Sequence, residues 1–360
     1  MKIPQFSETI FQDKKDWPED GLESVPHCPV CGDNRETLVY SDLCDRVFHC
    51  APGKWNLYEC NVCGTAYLNP RPTPSTIGLA YREYCTHSPI AGIDYAKASP
   101  WRRFRIAQRN AYLNANYGYR LKPEVWQPLF LSAARRRRFD SFTGYLHFPG
   151  SGAHLLDIGC GNGSFLSQMR ALGWEVAGVE PDPQSAAHAR AAGLDVRDGL
   201  LQQHSWPDNH FDAVTMNHVI EHLHDPVDTL RRSWRLLKPG GLVRVITPNF
   251  GSWGRLYYGS DWVPLDPPRH LILFTERSLR QAMERCGFSV SRPTHTSLRG
   301  REWFPSCAHF QQGGELPMKP SHLTLVKRIS VELQAWRANC ATKKNPALTE
   351  ELVLFGKKPD

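Results

Sequence analysis

Short apolar runs and amphipathic stretches alternate through the second half of the chain. From His154 the pattern reads HLLDIG (154–159), a helix over about 163–172, EVAGVE (175–180), a helix over about 183–192 and a short strand near DVRDG (195–199). It continues with FDAVTMN (211–217), a helix around 225–237, LVRVIT (242–247), a helix over about 275–286, FSVSRPT (288–294) and a last apolar strand, ELVLFGKK (351–358). Apolar strands that alternate with helices predict a parallel sheet covered on both faces, a doubly wound α/β domain. The earlier half has another texture. Residues 1–27 show no apolar period and predict a loose lead-in, and 28–72 are poor in helix-forming runs and end at NPRPTP (69–74). Proline lacks a donor and turns its predecessor away from helix, so this cluster marks a boundary. From Ser75 a helical stretch follows, with Ile77, Leu79, Ala80 and Tyr84 on one face, and 96–147 is mostly helical with Arg and aromatic residues mixed. These shifts divide the chain into a small module over 1–72, a helical connector over 73–150 and the α/β domain over 151–360, with insertions at 248–274 and 300–350.

Composition narrows the class. The chain has 360 residues, 41% of them hydrophobic and 22% charged, as an ordinary globular protein of about two domains does. No run approaches the roughly 20 apolar residues of a membrane helix. The opening MKIPQFSETIFQDKKDWPED lacks an apolar h-region, so no secretory signal is predicted there. The net charge of +7 is mild: it permits an anionic acceptor or nucleic acid without requiring either.

Eleven cysteines carry more information through placement than number. CPVCG (28–32) and CNVCG (60–64) are two knuckles, each eased by a glycine (Gly32, Gly64), that aim paired thiolates at one ion. Cys28, Cys31, Cys60 and Cys63 make a closed tetrahedral set, the structural type for zinc, with no open position for catalysis. The 28 residues between the knuckles (32–59) exceed the usual spacing, so a longer hairpin is expected, and His49 and Cys50 fall in that gap as substitute ligands. Paired cysteines of this kind point to a reducing, cytoplasmic setting; Cys44, Cys50, Cys85, Cys160, Cys286, Cys307 and Cys340 read as ordinary thiols.

The first strand of the α/β domain runs into LLDIGCGNGSF, with Gly159, Gly161 and Gly163 ahead of a helix. The spacing is G-x-G-x-G and not the G-x-G-x-x-G that wraps a pyrophosphate onto a helix N-terminus. A flat loop without Cβ atoms suits a nucleotide with an uncharged linker, such as S-adenosylmethionine. Asp157 at the strand's end is placed for a ligand ammonium group, and Glu180, closing the second strand, for both ribose hydroxyls. The plain alternative is a βα turn that merely needs glycines.

These residues, with GVEPDP, FDAVTMNHVIEHLHDP, LLKPGGLVRVITPN and PPRHLILFTERSL in the same order and spacing, resemble the class I S-adenosylmethionine-dependent methyltransferases over roughly 150–300. The last two segments are similar to a subgroup with an N-terminal zinc ribbon, associated with sugar, polysaccharide or small-metabolite tailoring. The resemblance implies a Rossmann-like sheet in which Asp157, Gly159, Gly161 and Gly163 cradle the methionine end and Glu180 the ribose. It places adenine near Gly199, Leu200 and Leu201; Leu200 stands where the family often has a polar residue, so backbone contact is expected. Asn217, ending the fourth strand, is counted with the cofactor residues.

Methyl transfer asks mainly for alignment, plus a base where the acceptor loses a proton. If HVIEHLHDP is helical, His218, Glu221 and His222 share a face beyond the sheet's carboxyl edge, where such folds bind ligands. His270, in WVPLDPPRHLILF, is the second candidate base. The insertion around it holds Trp253, Tyr257, Tyr258 and Trp262, suited to stacking on a sugar, and Arg269, suited to a phosphate. For each of these residues a purely structural brace is the competing role. The run Arg135–Arg138 reads as a solvated or docking helix, with attraction to an anionic acceptor as the functional alternative. The expected function is methyl transfer to a hydroxyl or carbon of a small-molecule acceptor, a sugar, nucleotide-sugar or related metabolite, an anionic one included. An RNA methyltransferase is disfavoured because NHVIEHL replaces the D/N-P-P-Y/F motif, and a non-catalytic cofactor-binding scaffold because the glycine triplet and Glu180 are intact.

Overall fold

The computed structural model describes residues 16–81, 99–126, 131–292, 300–316 and 323–360. Tyr84 of the expected helical stretch, the end of FSVSRPT, Cys85 and residues 1–15 lie outside the described residues.

The N-terminal module is a β structure. A short pair, β1 (Leu22–Glu23) and β5 (Arg71–Pro72), closes its base. Its antiparallel sheet contains β2 (Glu36–Leu43), β3 (Trp55–Cys60) and β4 (Ala66–Leu68). The fourth strand of that sheet, β11 (Ile272–Leu273), arrives from the α/β domain and pairs with β4. LILF (271–274) is buried throughout, and its Ile272–Leu273 segment extends the sheet of the N-terminal module. The stretch after Ser75 forms one 3₁₀ turn, Ile77–Tyr81. Helix α1 (Pro100–Tyr117) starts where Ser99 accepts from the Arg102 N–H with Pro100 at the first position, and stops at left-handed Gly118. Ser132 caps α2 (Ala133–Phe142), on which Arg135, Arg136 and Arg138 are exposed.

The main sheet has seven strands in the order β12-β13-β10-β9-β6-β7-β8. They are β6 (His154–Ile158), β7 (Glu175–Glu180), β8 (Asp195–Asp198), β9 (Phe211–Asn217), β10 (Leu237–Pro248), β12 (Ser289–Ser291) and β13 (Glu351–Lys357). Helices α3 (Ser164–Ala171), α4 (Pro183–Ala191), α5 (Pro226–Leu236) and α7 (Glu276–Arg285) connect them, α4 and α5 each behind an Asp cap and a proline. The expected all-parallel sheet is corrected in one respect: β13 runs antiparallel to both β10 and β12. After α6 (Trp253–Tyr258), the insertion at 300–350 folds as α8 (Gly300–Phe310) and α9 (Leu325–Lys344), and delivers Glu351 beside Pro248, the carboxyl end of β10. The strand therefore has to run back, and an apolar heptad reads the same in either direction. Leu155, Leu156, Val214, Met216, Val243 and Val245 fill the sheet's centre. Burial of each contributes about 1.5–3 kcal/mol.

Candidate cofactor and acceptor site

Everything of interest gathers at the carboxyl ends of β6, β7, β9 and β10. The turn after β6 holds Gly159, Gly161 and Gly163 at φ 67, 54 and 79, conformations that side chains resist. Their tasks differ. A Cβ on Gly159 would stand 2.5 Å from Val219, and one on Gly163 would stand 2.4 Å from Leu194, so these two glycines let the loop pack on its neighbours. A Cβ on Gly161 meets nothing within 4 Å, so this glycine faces open space. The Gly161 N–H donates to Glu180 Oε2 (2.7 Å), and the Asp182 N–H to Glu180 Oε1 (2.9 Å). Burial raises the Glu180 pKa, and those two donors work against it. The carboxylate thus braces the loop and keeps a lone pair on each oxygen for a diol.

Asp157 is buried under the loop. Its Oδ1 accepts from Thr215 Oγ1 (2.5 Å) and from Asn217 Nδ2 (3.3 Å). Burial pushes its pKa up to about 7, against those two donors and the charge of Arg244. Asn217 in turn accepts from Arg244 Nη2 (2.6 Å). Arg244 is only 2% exposed, lies over the Phe165 ring and is lowered to about 10 by burial, still a cation at neutral pH. It fits because Gly144 has no side chain: a Cβ there would stand 1.9 Å from Arg244 Nη1. Residue typing did not single out Arg244 or Thr215. The available signal was a lone Arg inside the apolar run LVRVIT, which must either be exposed or be buried for a reason. On the adenine side, Leu200 is half exposed and its N–H is taken by Gln203 Oε1 (2.7 Å); Leu201 is buried in the core.

The segment after β9 is not an α-helix. His218 sits at φ 53, and a single 3₁₀ turn, Ile220–His222, precedes the cap of α5. His218 and His222 consequently part company. His218 lies between two carboxylates, Glu351 Oε1 at 2.9 Å and Glu221 Oε1 at 3.3 Å. Burial would lower its pKa, but the two carboxylates reverse that and raise it to about 10. Glu221 is likewise held at about 2: burial acts upward, and the surrounding imidazoles outweigh it. His218 is therefore an imidazolium at neutral pH.

His222 turns the other way. Its ring packs edge-on against His270, centroids 4.7 Å apart, and its Nδ1 lies 2.9 Å from both the Arg269 carbonyl and the Tyr81 hydroxyl. Burial, then the charge His270 would carry, lower the His222 pKa to about 4. His270 places its own Nδ1 2.7 Å from the Pro264 carbonyl. A carbonyl only accepts, so both rings carry a proton on Nδ1, and Nε2 is the nitrogen left as a lone pair in the neutral form of each. Glu221 Oε2 accepts from Thr247 Oγ1 (2.9 Å), while Oε1 is buried without a hydrogen-bond partner among the described residues.

Arg269 is fully buried and spent within the protein. Nε and Nη2 bind Asp266, Nη1 and Nη2 bind both oxygens of Asp45, and Nη1 also reaches the Ala80 carbonyl. All five of its N–H groups have acceptors, which leaves none for a phosphate. Of the aromatic residues in 248–274, Tyr258 and Trp262 are core, Trp253 stacks on Tyr257, and Tyr257 is exposed.

The four knuckle cysteines converge. Cys28 Sγ lies 3.5 Å from Cys63 Sγ, and Cys31 Sγ 3.5 Å from Cys60 Sγ; all four sulfurs fall within 4.8 Å of one another. Tetrahedral zinc–thiolate bonds of about 2.3 Å set sulfurs roughly 3.8 Å apart, so the set accommodates such an ion with little adjustment. Gly32 and Gly64, at φ 80 and 76, close the two turns. His49 and Cys50 stand elsewhere: His49 Nε2 lies 2.7 Å from the Leu316 carbonyl, and Cys50 Sγ reaches the Ala80 carbonyl.

Comparison with known proteins bears on the family of the chain. A family model described as a methyltransferase domain matches residues 130–292. The ubiquinone biosynthesis O-methyltransferase of Caulobacter vibrioides is 37% identical over 138 residues, 35% of this chain and 53% of that protein. Its counterpart in Azorhizobium caulinodans is 31% identical over 170 residues, 43% of this chain and 67% of that protein. The chain spans about half the length of most curated relatives it matches. A crystal structure of a SAM-dependent methyltransferase from Archaeoglobus fulgidus is 20% identical, covering 62% of this chain and 92% of that one at a TM-score of 0.40. No described helix is long and apolar enough to cross a membrane. The relative matched over two thirds of its length and the domain model laid over β6 to β12 together show that this chain belongs to the S-adenosylmethionine-dependent methyltransferase family.

Proposed function

We propose that the chain is an enzyme that methylates a hydroxyl oxygen of a small molecule from S-adenosylmethionine, with a sugar or related metabolite as the first class to assay. The observation that carries it is one edge of one sheet holding two sets of groups. One is a cradle in which Gly161 leaves space beside the Glu180 carboxylate; the other is a pair of imidazoles, His222 and His270, each with Nε2 a lone pair in its neutral form. In this reading Glu180 takes the ribose hydroxyls, the Gly159–Gly163 loop and Asp157 the methionine end, and the backbone at Leu201 the adenine, since the N–H groups of Gly199 and Leu200 are bound to the Glu180 carbonyl and to Gln203. The cofactor supplies a methyl group already activated on a sulfonium. The protein's part is to align the acceptor, exclude water and accept its proton. His222 or His270 can accept at Nε2; His218, charged between Glu221 and Glu351, orients and does not accept. Oxygen is preferred over carbon because relatives such as those of Caulobacter vibrioides and Azorhizobium caulinodans, at 37% and 31% identity, are named O-methyltransferases, although another at 33% is named only a probable S-adenosylmethionine-dependent methyltransferase. The cysteine cluster is read as a structural zinc site, apart from the chemistry.

The test is incubation of the protein with methyl-labelled cofactor and fractionated hydroxyl-bearing metabolites. Label should pass to a small-molecule fraction, and His222→Ala and His270→Ala should each lower turnover while S-adenosylhomocysteine still binds. Label appearing only in RNA would overturn the reading.

A further inference from the structure

Glu221 and His222, after β9, and His270, just before β11, form a cluster of metal-ligating side chains. One ligand atom each from Glu221, His222 and His270 lies within 4.8 Å of the other two. Each residue has its far atom fixed. The Nδ1–H groups of His222 and His270 point at the carbonyls of Arg269 and Pro264, and Glu221 Oε2 accepts from Thr247. What remains is Glu221 Oε1, buried and without a hydrogen bond among the described residues, and on each imidazole the Nε2 that its neutral form leaves as a lone pair. His218 offers Oε1 charge at 3.3 Å but no hydrogen bond. The charge of His218 compensates that of Glu221, but no hydrogen-bond donor among the described residues satisfies Oε1, and a metal ion would satisfy it together with the two imidazoles. Outer groups that lock tautomer and orientation in this way are what metal-ligating imidazoles and carboxylates carry.

We propose that Glu221, His222 and His270 bind a divalent ion of the zinc class. Two imidazole nitrogens and one carboxylate oxygen suit a first-row transition ion over Mg²⁺ or Ca²⁺, which favour all-oxygen sets. Three protein ligands also leave a position open, as in catalytic sites and unlike the closed cysteine cluster. The catalytic task rests on the transfer to a hydroxyl proposed above: the acceptor oxygen binds the open position, its proton goes to water, and the imidazoles act through the ion instead of as bases. Binding of the ion does not rest on that reading.

The full chain is saturated with Zn²⁺, dialysed, and its metal content measured. Two equivalents are expected, falling to one in His222→Ala/His270→Ala and to one in Cys60→Ser. Because an alanine can disturb a packed ring, Glu221→Gln and His270→Gln are measured too, each expected to weaken the second equivalent at least tenfold while melting and S-adenosylhomocysteine affinity hold. Co²⁺ gives an independent readout. The cysteine equivalent shows thiolate-to-metal charge transfer, and the second shows visible bands without it. A single equivalent that Cys60→Ser abolishes overturns the inference. So does full turnover of labelled cofactor with one equivalent bound, an outcome that leaves the methyltransferase reading standing; a bound second ion without any turnover sinks that reading and not this one.

Discussion

Arg269 decides whether the PPRH segment reads a substrate or holds the protein together, and the hydrogen bonds favour the second. Its guanidinium joins Asp45 of the N-terminal module to Asp266 of the α/β domain, at 2.6 Å to each through Nη2. The Arg269 side chain is 0% exposed and that of Asp45 1%. Replacement by Met keeps the volume and removes the charge, leaving two buried carboxylates. Breaking a buried pair from one side costs about 3–5 kcal/mol. Asp45 retains backbone N–H groups from Val47, Phe48, Cys50 and Ala51, which still stabilise its charge, so the lower end is expected. Arg269→Met should then lose about 3 kcal/mol, roughly a hundredfold in the folding equilibrium. The assay is urea unfolding followed by tryptophan fluorescence. The pH dependence has a definite sign. Burial alone would raise the Asp45 pKa, but Arg269 holds it well below the usual carboxylate range. The pair's contribution is present above about pH 4 and fades as pH falls further, so wild type and variant converge in acid. A loss under 1 kcal/mol, with KM raised for a phosphorylated acceptor, would refute the reasoning and return Arg269 to substrate recognition.

Glu180→Ala should weaken S-adenosylhomocysteine binding roughly ten- to a hundredfold by calorimetry, as the loss of charged hydrogen bonds does; unchanged affinity would remove Glu180 from the cofactor site. Gly161→Ala and Gly163→Ala should split. The first mainly costs cofactor affinity, and the second, whose Cβ would stand 2.4 Å from Leu194, mainly costs stability, measured by melting with and without cofactor. Asp157→Asn keeps an oxygen for Thr215 and Asn217 but removes a carboxylate whose pKa is raised to about 7. The raised pKa makes the charged form a burden above the unfolded value, so the Asn variant's stability relative to wild type should climb between about pH 4 and 7 and level off, by about 2–4 kcal/mol. A flat difference across that range would contradict it. Stripping the cysteine cluster of metal with a chelator should lower the melting temperature by several degrees; no change would argue against a structural ion.

The α/β alternation, the glycine loop and both knuckles were legible because each rests on local rules: a period, a positive φ, a short spacing. What escaped depends on direction and on distance in sequence. ELVLFGK has the same pattern whichever way it runs, and only the helical detour through α8 and α9 fixes it as antiparallel to β10. The assumed helix at HVIEHLHDP would have put His218 and His222 on one face. The left-handed His218 and a single 3₁₀ turn send one imidazole to Glu351 and the other to His270, residues 133 and 48 positions away. Arg244 escaped because its partner Asn217 and the space left by Gly144 lie on other elements. The aromatic residues of 248–274 were read as a sugar platform, yet Tyr258 and Trp262 serve the core beneath it.

The N-terminal module is better understood as a wall of the site than as an appended domain. Its sheet is completed by β11, immediately after His270, and Leu68 N–H reaches the Leu271 carbonyl (3.0 Å). Tyr81, at the end of the 3₁₀ turn that follows the module, contacts His222 Nδ1, and Asp45 secures Arg269, whose carbonyl fixes that same ring. The His222 tautomer therefore depends on atoms placed by both halves of the chain. A cysteine cluster that holds β3 and β4 in register holds β11 as well, and with it the His270 backbone. An ion held by the four cysteines, as proposed above, would brace β3 and β4 and through them the strand that follows His270.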